Sequence, residues 1–210
     1  FKVITKIPYL PNDYKNVDDW LFSQVQGSLL RLKVSCLDGL LIHHPAQLLS
    51  NRGDELFYAL EGIKSRGMTK KIGISIYDPL ELDNILNNYR FDIVQAPMNI
   101  LDRRLIDSGW AYRLKEKGVD LHARSVFLQG LLLMSRESRP IKFNRWDNLW
   151  KSWEDWLYLA KVTPLQACIQ YLTSLEYVDA IVVGVDSSQQ LSEIIQASSG
   201  VIPHIPVFNY

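Results

Sequence analysis

Short runs of β-formers alternate with helical patterns along almost the whole chain, and this alternation narrows the fold more than any other property of the sequence. Residues 2–6 read as a strand. Asn16 is placed to cap a helix whose Val17, Trp20, Leu21, Val25, Leu29 and Leu32 share one stripe. The apolar run 40–42 gives the next strand, and a helix over about 54–66 should stop at Gly67. Residues 71–75 form the third strand. Asp78 and Pro79 follow as cap and first helical residue, with Glu81 positioned for a capping box. A fourth strand over 91–95 leads to a helix over 103–117 ending at Gly118, and a fifth strand covers 119–124. Thr163 and Pro164 open a helix running to Leu175, residues 179–183 form the sixth strand, and 187–197 the last helix.

Strands that alternate with helices build βαβ units and a parallel sheet, so the fold class is α/β. The choice lies between an open doubly wound sheet and a closed barrel. A dinucleotide-binding open sheet should carry GxGxxG after its first strand, and the sequence has none. Six βα units are visible where a closed barrel needs eight, and 210 residues fall short of the about 250 typical of that fold. The first residues already read as a strand with no helix before it. An open six-stranded sheet would leave a long unpaired edge. The expectation is a (β/α)8 TIM barrel whose first two βα units are missing or not shown, with residues 1–210 as one partial barrel domain.

Composition removes several function classes. The chain has 23 basic and 23 acidic residues, a formal net charge of 0, which argues against a nucleic-acid-binding face. No apolar run reaches the roughly 18 residues of a membrane helix, and residues 1–6 are too short and polar for a signal peptide. Cys36 and Cys168 stand in apolar stretches without a CxxC partner, so buried free thiols in a reducing cytoplasm are expected. No phosphate-binding glycine loop or metal-ligand cluster appears, and no metal is expected.

In a barrel, polar residues at the C-terminal ends of the strands collect around one mouth. Those ends carry Lys6, His43 and His44, Ser75, Gln95 to Asn99, Arg124 and Ser125, and Gly184 to Asp186. A scaffold without chemistry has no use for a cation, histidines, amides and a hydroxyl at these places, so the pattern points to an enzyme. Neighbouring strand residues face opposite ways, which lets only one of His43 and His44 point inward. Four of the six tryptophans fall in 143–158, and Trp146, Trp150 and Trp153 are spaced as one helical stripe. Packing against the strands is one reading of that stripe, and a wall over the site is the other.

Five blocks in order then resemble the aldo-keto reductase family. They are Ile4-Thr5-Lys6; Leu37-Asp38 through Ile42-His43-His44-Pro45; Ile72-Gly73-Ile74-Ser75; Val94-Gln95; and Gly184 through Ser187, Gln190 and Leu191. The stretch His122 to Leu131 is also similar to a branch of the family found beside surface-sugar biosynthesis enzymes.

The resemblance implies reduction of an aldehyde or ketone by a nicotinamide cofactor at a Tyr, Lys, His, Asp tetrad. Lys6 matches the lysine that lowers the tyrosine pKa, and His43 the histidine that orients the carbonyl. The tyrosine and aspartate would precede Phe1. His44 and Trp146 are the substrate-pocket candidates. Ser75 and Gln95 match residues that hold the nicotinamide amide, although Ile76 stands where an asparagine is usual. Arg124 replaces an aromatic that stacks on the nicotinamide, and a guanidinium plane can also stack. Ser125, Phe127, Gln129, Gly184, Asp186, Ser187, Gln190 and Glu193 complete the implied cofactor set, with a phosphate at a helix N-terminus. Asp186 and Ser187 can equally be ordinary helix caps. Gly184 and Gln190 replace the lysine and arginine that often bind a 2′-phosphate. NADP(H) is nonetheless expected ahead of NAD(H), with a small-molecule carbonyl as the partner. The alternative is a cofactor-binding, catalytically weak regulatory or assembly subunit.

Overall fold

The computed structural model describes residues 1–206 and Phe208. Its strands are β1 (Ile4–Ile7), β2 (Gly39–Ile42), β3 (Ile72–Ser75), β4 (Ile93–Pro97), β5 (Asp120–Arg124) and β6 (Ala180–Ile181), hydrogen-bonded in chain order. The pairs β1–β2, β2–β3 and β3–β4 are parallel. Helices α1 (Val17–Leu32), α2 (Gly53–Ser65) and α3 (Leu80–Asn88) follow the first three strands. Next come α4 (Arg104–Asp107) and α5 (Trp110–Glu116), then α6 (Asp147–Ala160), α7 (Pro164–Thr173) and α8 (Ser188–Ala197). The chain divides into two compact units, one of Phe1–Ala96 with Arg104–His122, the other of Pro97–Arg103 with the residues from Ala123 on.

In the first unit every residue of β2 and β3 is buried, as expected of central parallel strands covered on both faces. Leu40, Leu41, Ile42, Ile72 and Ile74 join Leu21 of α1 and Leu60 and Ile63 of α2 in a core with almost no solvent access. Each such side chain contributes about 1.5–3 kcal/mol by leaving water. The cap of α1 forms as the sequence implies, whereas α3 starts at Leu80, one residue later than expected, with Pro79 at the cap position and the Asp78 carboxylate accepting the Leu80 N–H. Asn16 accepts the Asp19 N–H, and Glu81 accepts the N–H groups of Tyr77 and Asp78 at 2.7 and 2.8 Å. The helix expected over 103–117 is instead two. Ser108 and Gly109 close α4 with hydrogen bonds to the Arg104 and Ile106 carbonyls, and Gly109 takes φ 76°, which no continuing helix permits.

In the second unit Trp150, Trp153 and Trp156 are the buried stripe of α6. The rings of Trp153 and Trp156 stack at 5.5 Å, and Phe208 meets both edge-on. Trp146 is outside this stripe: it precedes α6 at the end of a 3-10 turn and is half-exposed. α7 opens with a complete capping box between Thr163 and Gln166. The sixth strand is shorter than the expected 179–183, because β6 ends the hydrogen-bonded order and pairs on one side, through the Val182 N–H to the Ala123 carbonyl.

Candidate active site

Parallel pairing brings the C-terminal ends of β1 to β4 to one edge of the first unit. Lys6 is exposed on β1 and registers with Leu41, while Ile7 registers with Ile42. His43 is therefore the first residue past the end of the neighbouring strand, and it is half-buried. On β3 and β4, Ser75 and Gln95 are register partners, and both side chains are buried. The Gln95 Oε1 acceptor is buried with no hydrogen-bond partner. Leaving such an acceptor unsatisfied costs about 1–3 kcal/mol, so the position favours a ligand that brings an N–H. Ile76 is fully buried, and its N–H donates to the Gln95 carbonyl at 2.9 Å.

The two histidines do not part to opposite faces. Both lie beyond β2, and their rings are 4.7 Å apart. His44 precedes Pro45, which keeps its backbone (φ −121°, ψ 78°) out of the helical region. The Tyr9 ring meets the His44 ring edge-on at 5.8 Å, so Tyr9, His44 and His43 form a row of rings above the strand ends. Pro45–Leu49 then forms a 3-10 turn with Pro45, Gln47 and Leu48 buried.

In the second unit the chain past β5 is tightly coiled. Ser125, Leu128, Gln129 and Gly130 all take positive φ, of 58°, 48°, 57° and 86°. For the three non-glycine residues this conformation costs on the order of 1 kcal/mol each, a strain that concentrates at functional sites. The Arg124 guanidinium donates to the Ser125 hydroxyl at 3.2 Å. The Asn99 amide donates to the Ser125 carbonyl, and its oxygen accepts from Leu101 and Asp102. Phe127 is half-buried and Gln129 exposed. The Trp146 ring lies 5.9 Å from Phe143, with the Arg145 guanidinium 3.8 Å above it.

Gly184, Asp186, Ser187, Gln190 and Glu193 are all exposed. Ser187 caps the helix by accepting the Gln190 N–H, and Gln190 Oε1 accepts the Asp186 backbone N–H at 2.8 Å, so the cap reading is realised for Ser187. Glu193 accepts from the Gln189 side chain. Among the described residues no cluster of three or more His, Cys, Asp or Glu could hold a metal, and no helix is long and apolar enough to cross a membrane.

The family model of the aldo/keto reductase family matches residues 1–204. The chain belongs to that family. Its members are oxidoreductases that act on carbonyls. The fold resembles aldo-keto reductase AKR11C1 from Bacillus halodurans. With the holo form the TM-score is 0.77 and the identity 23%, over 97% of this chain and 68% of that one. With the apo form they are 0.75 and 22%, over 96% and 66%. It also resembles the thermostable aldo-keto reductase Tm1743 in complex with the inhibitor epalrestat, with TM-score 0.69 and 22% identity over 93% and 65%. The chain thus spans about two thirds of the length of these reductases. No curated protein matches it by sequence.

Two residues at this edge of the reductase fold escape a motif reading: Tyr9, which extends the row of rings, and Gln47, which ties two loops. Pro45 directly after the histidines signals a fixed turn there. Nothing in the sequence says that the turn reaches back to the loop after β1.

Proposed function

We propose that the protein reduces an aldehyde or ketone, on a sugar-derived or similar small molecule, with a reduced nicotinamide cofactor. In this reading residues 1–210 belong to one eight-unit barrel domain whose first two βα units lie outside this sequence. Exposed Val182, Leu191 and Ile195 near β6 and on α8, and exposed Ile4 on β1, suit surfaces that further units would cover. Two unpaired thiols, Cys36 and Cys168, suit a cytoplasmic setting.

The observation that carries the proposal is the orphaned Gln95 acceptor beside Ser75, level with the strand ends that bear Lys6 and His43. Oε1 would accept from a carboxamide N–H, and Ser75 would hold the other side of that amide. The cofactor, when bound, supplies the hydride. His43 would donate a hydrogen bond to the substrate carbonyl, so that negative charge developing on oxygen meets a donor already in place. Lys6 would keep a neighbouring tyrosine acid poised by favouring its ionised form. Arg124, Ser125, Phe127 and Gln129 would contact the cofactor from the strained loop after β5, and His44 and Trp146 would face substrate. The N-terminus of α8, with Gly184, Asp186, Ser187, Gln190 and Glu193, would take the cofactor's phosphate end. NADP(H) is preferred to NAD(H) on family grounds, against the missing positive charge at Gly184 and Gln190.

The test is carbonyl-dependent oxidation of NADPH and NADH by the full-length protein across aldehydes and keto-sugars. Turnover that Gln95→Leu lowers, with a raised KM for cofactor, is the expected result. Absence of both cofactor binding and turnover would overturn the reading.

A further inference from the structure

Gln47 has no role in the resemblance, yet it is the most connected buried polar residue at this edge. Its side chain is nearly inaccessible to solvent. Oε1 accepts the Leu10 N–H at 2.7 Å, and Nε2 donates to the His44 carbonyl at 3.2 Å. Its own N–H donates to that same carbonyl, and its carbonyl accepts the Ser50 N–H and hydroxyl. One amide therefore joins the loop after β1, which presents Tyr9, to the turn after β2, which presents His43 and His44. The contact is specific to an amide. A carboxylate would keep the Leu10 acceptor and lose the donor to His44, and an aliphatic side chain would lose both.

We propose that Gln47 is a positioning residue: by pinning Leu10 to His44 it holds the Tyr9–His44–His43 row of rings in place and so fixes the direction of the His43 imidazole. This rests on the assignment of His43 above, but its consequence for ring geometry does not require turnover. Leu10 follows Tyr9 at one end of that row, and the His44 C=O belongs to its middle residue. If the amide is lost, each needs water or a new partner, and the loops separate.

The experiment compares Gln47→Leu and Gln47→Glu with wild type in the full-length protein. It records the imidazole resonances of His43, His44, His122 and His204, thermal unfolding, and kinetics if wild type turns over. The expected result is that Gln47→Leu shifts the His43 and His44 signals and leaves His122 and His204 in place. Gln47→Glu, keeping half of the clamp, should shift them less. Turnover should fall about tenfold in Gln47→Leu with the cofactor KM within twofold of wild type. Unchanged His43 and His44 signals in both folded variants would overturn the proposal. So would equal shifts at all four histidines, or loss of folding in both variants, either of which makes Gln47 a general stability residue. A wild type with no reductase turnover would sink the functional reading, while the histidine spectra still decide the role of Gln47.

Discussion

Gly73 on β3 faces Ile93 on β4 in register, and a Cβ added at Gly73 would overlap the Ile93 carbonyl oxygen. The same Cβ would come within 2.6 Å of Leu41 Cδ2 and 2.8 Å of Ile93 Cβ. The position is closed from both neighbouring strands, and the main obstacle is backbone, which cannot rotate away. Gly73→Ala should therefore destabilise the fold by about 1–3 kcal/mol, the usual cost of overpacking. Denaturant unfolding should show a lower midpoint at unchanged slope. Full stability in Gly73→Ala would mean that β3 and β4 can separate more than the register allows.

His43 and His44 touch, so replacing either disturbs the other, but their chemistry should differ. His43→Ala should lower turnover by 100-fold or more, in the range of a lost acid–base or oxyanion contact. His44→Ala should cost about tenfold or less and act mainly on the carbonyl-substrate KM, because its ring is the exposed neighbour between His43 and Tyr9. Steady-state kinetics on both variants decides this. Equal losses in kcat would show that the two rings act as one unit.

Much of this was legible in sequence because βα alternation and helix caps are local. Asn16, Thr163 and Ser187 act where short polar side chains before apolar periodicity should. Three features were not local. Periodicity carries a helix through 103–117, whereas Gly109 with its positive φ stops α4 and separates it from α5. Strand alternation predicts opposite faces for the two histidines, but β2 ends at Ile42, so the alternation does not reach them. The Gln47 clamp joins residues 37 apart, which no spacing rule reaches. Lys6, His43, Ser75 and Gln95 could be picked out because each stands at the same end of a strand, and parallel pairing brings those ends to one edge.

At the opposite ends of the strands, ion pairs fasten the sheet: Asp38 with Lys70, Asp92 with Lys64, and Asp120 with Lys71. Hydrogen bonds from the Lys70 ammonium and then the Val3 N–H hold the Asp38 carboxyl below the usual carboxylate range. A carboxyl whose folded pKa is depressed adds stability above its unfolded pKa, near 3.9, and loses it as pH falls through that value toward the folded one. Asp38→Asn should thus be less stable than wild type at pH 6–7, with the gap narrowing below about pH 4. Melting curves across that range are the check. A gap independent of pH would show that the ionised form of Asp38 adds no stability.

The two thiols should report on folding rather than catalysis. Cys168 on α7 is fully buried, and burial pushes its pKa up to about 12. At neutral pH it is almost entirely protonated, and only the thiolate is a good nucleophile. Cys36 is half-buried, its thiol donating to the Leu37 carbonyl at 3.3 Å. An alkylating probe at pH 7 should label Cys36 in the native protein and reach Cys168 only in denaturant, with peptide mass mapping to locate each label. Because access to Cys168 requires α7, whose Ala167, Ile169 and Leu172 are buried with it, to leave its packing, its labelling rate should fall as stability rises. Rapid native labelling of Cys168 would show that α7 opens locally without global unfolding.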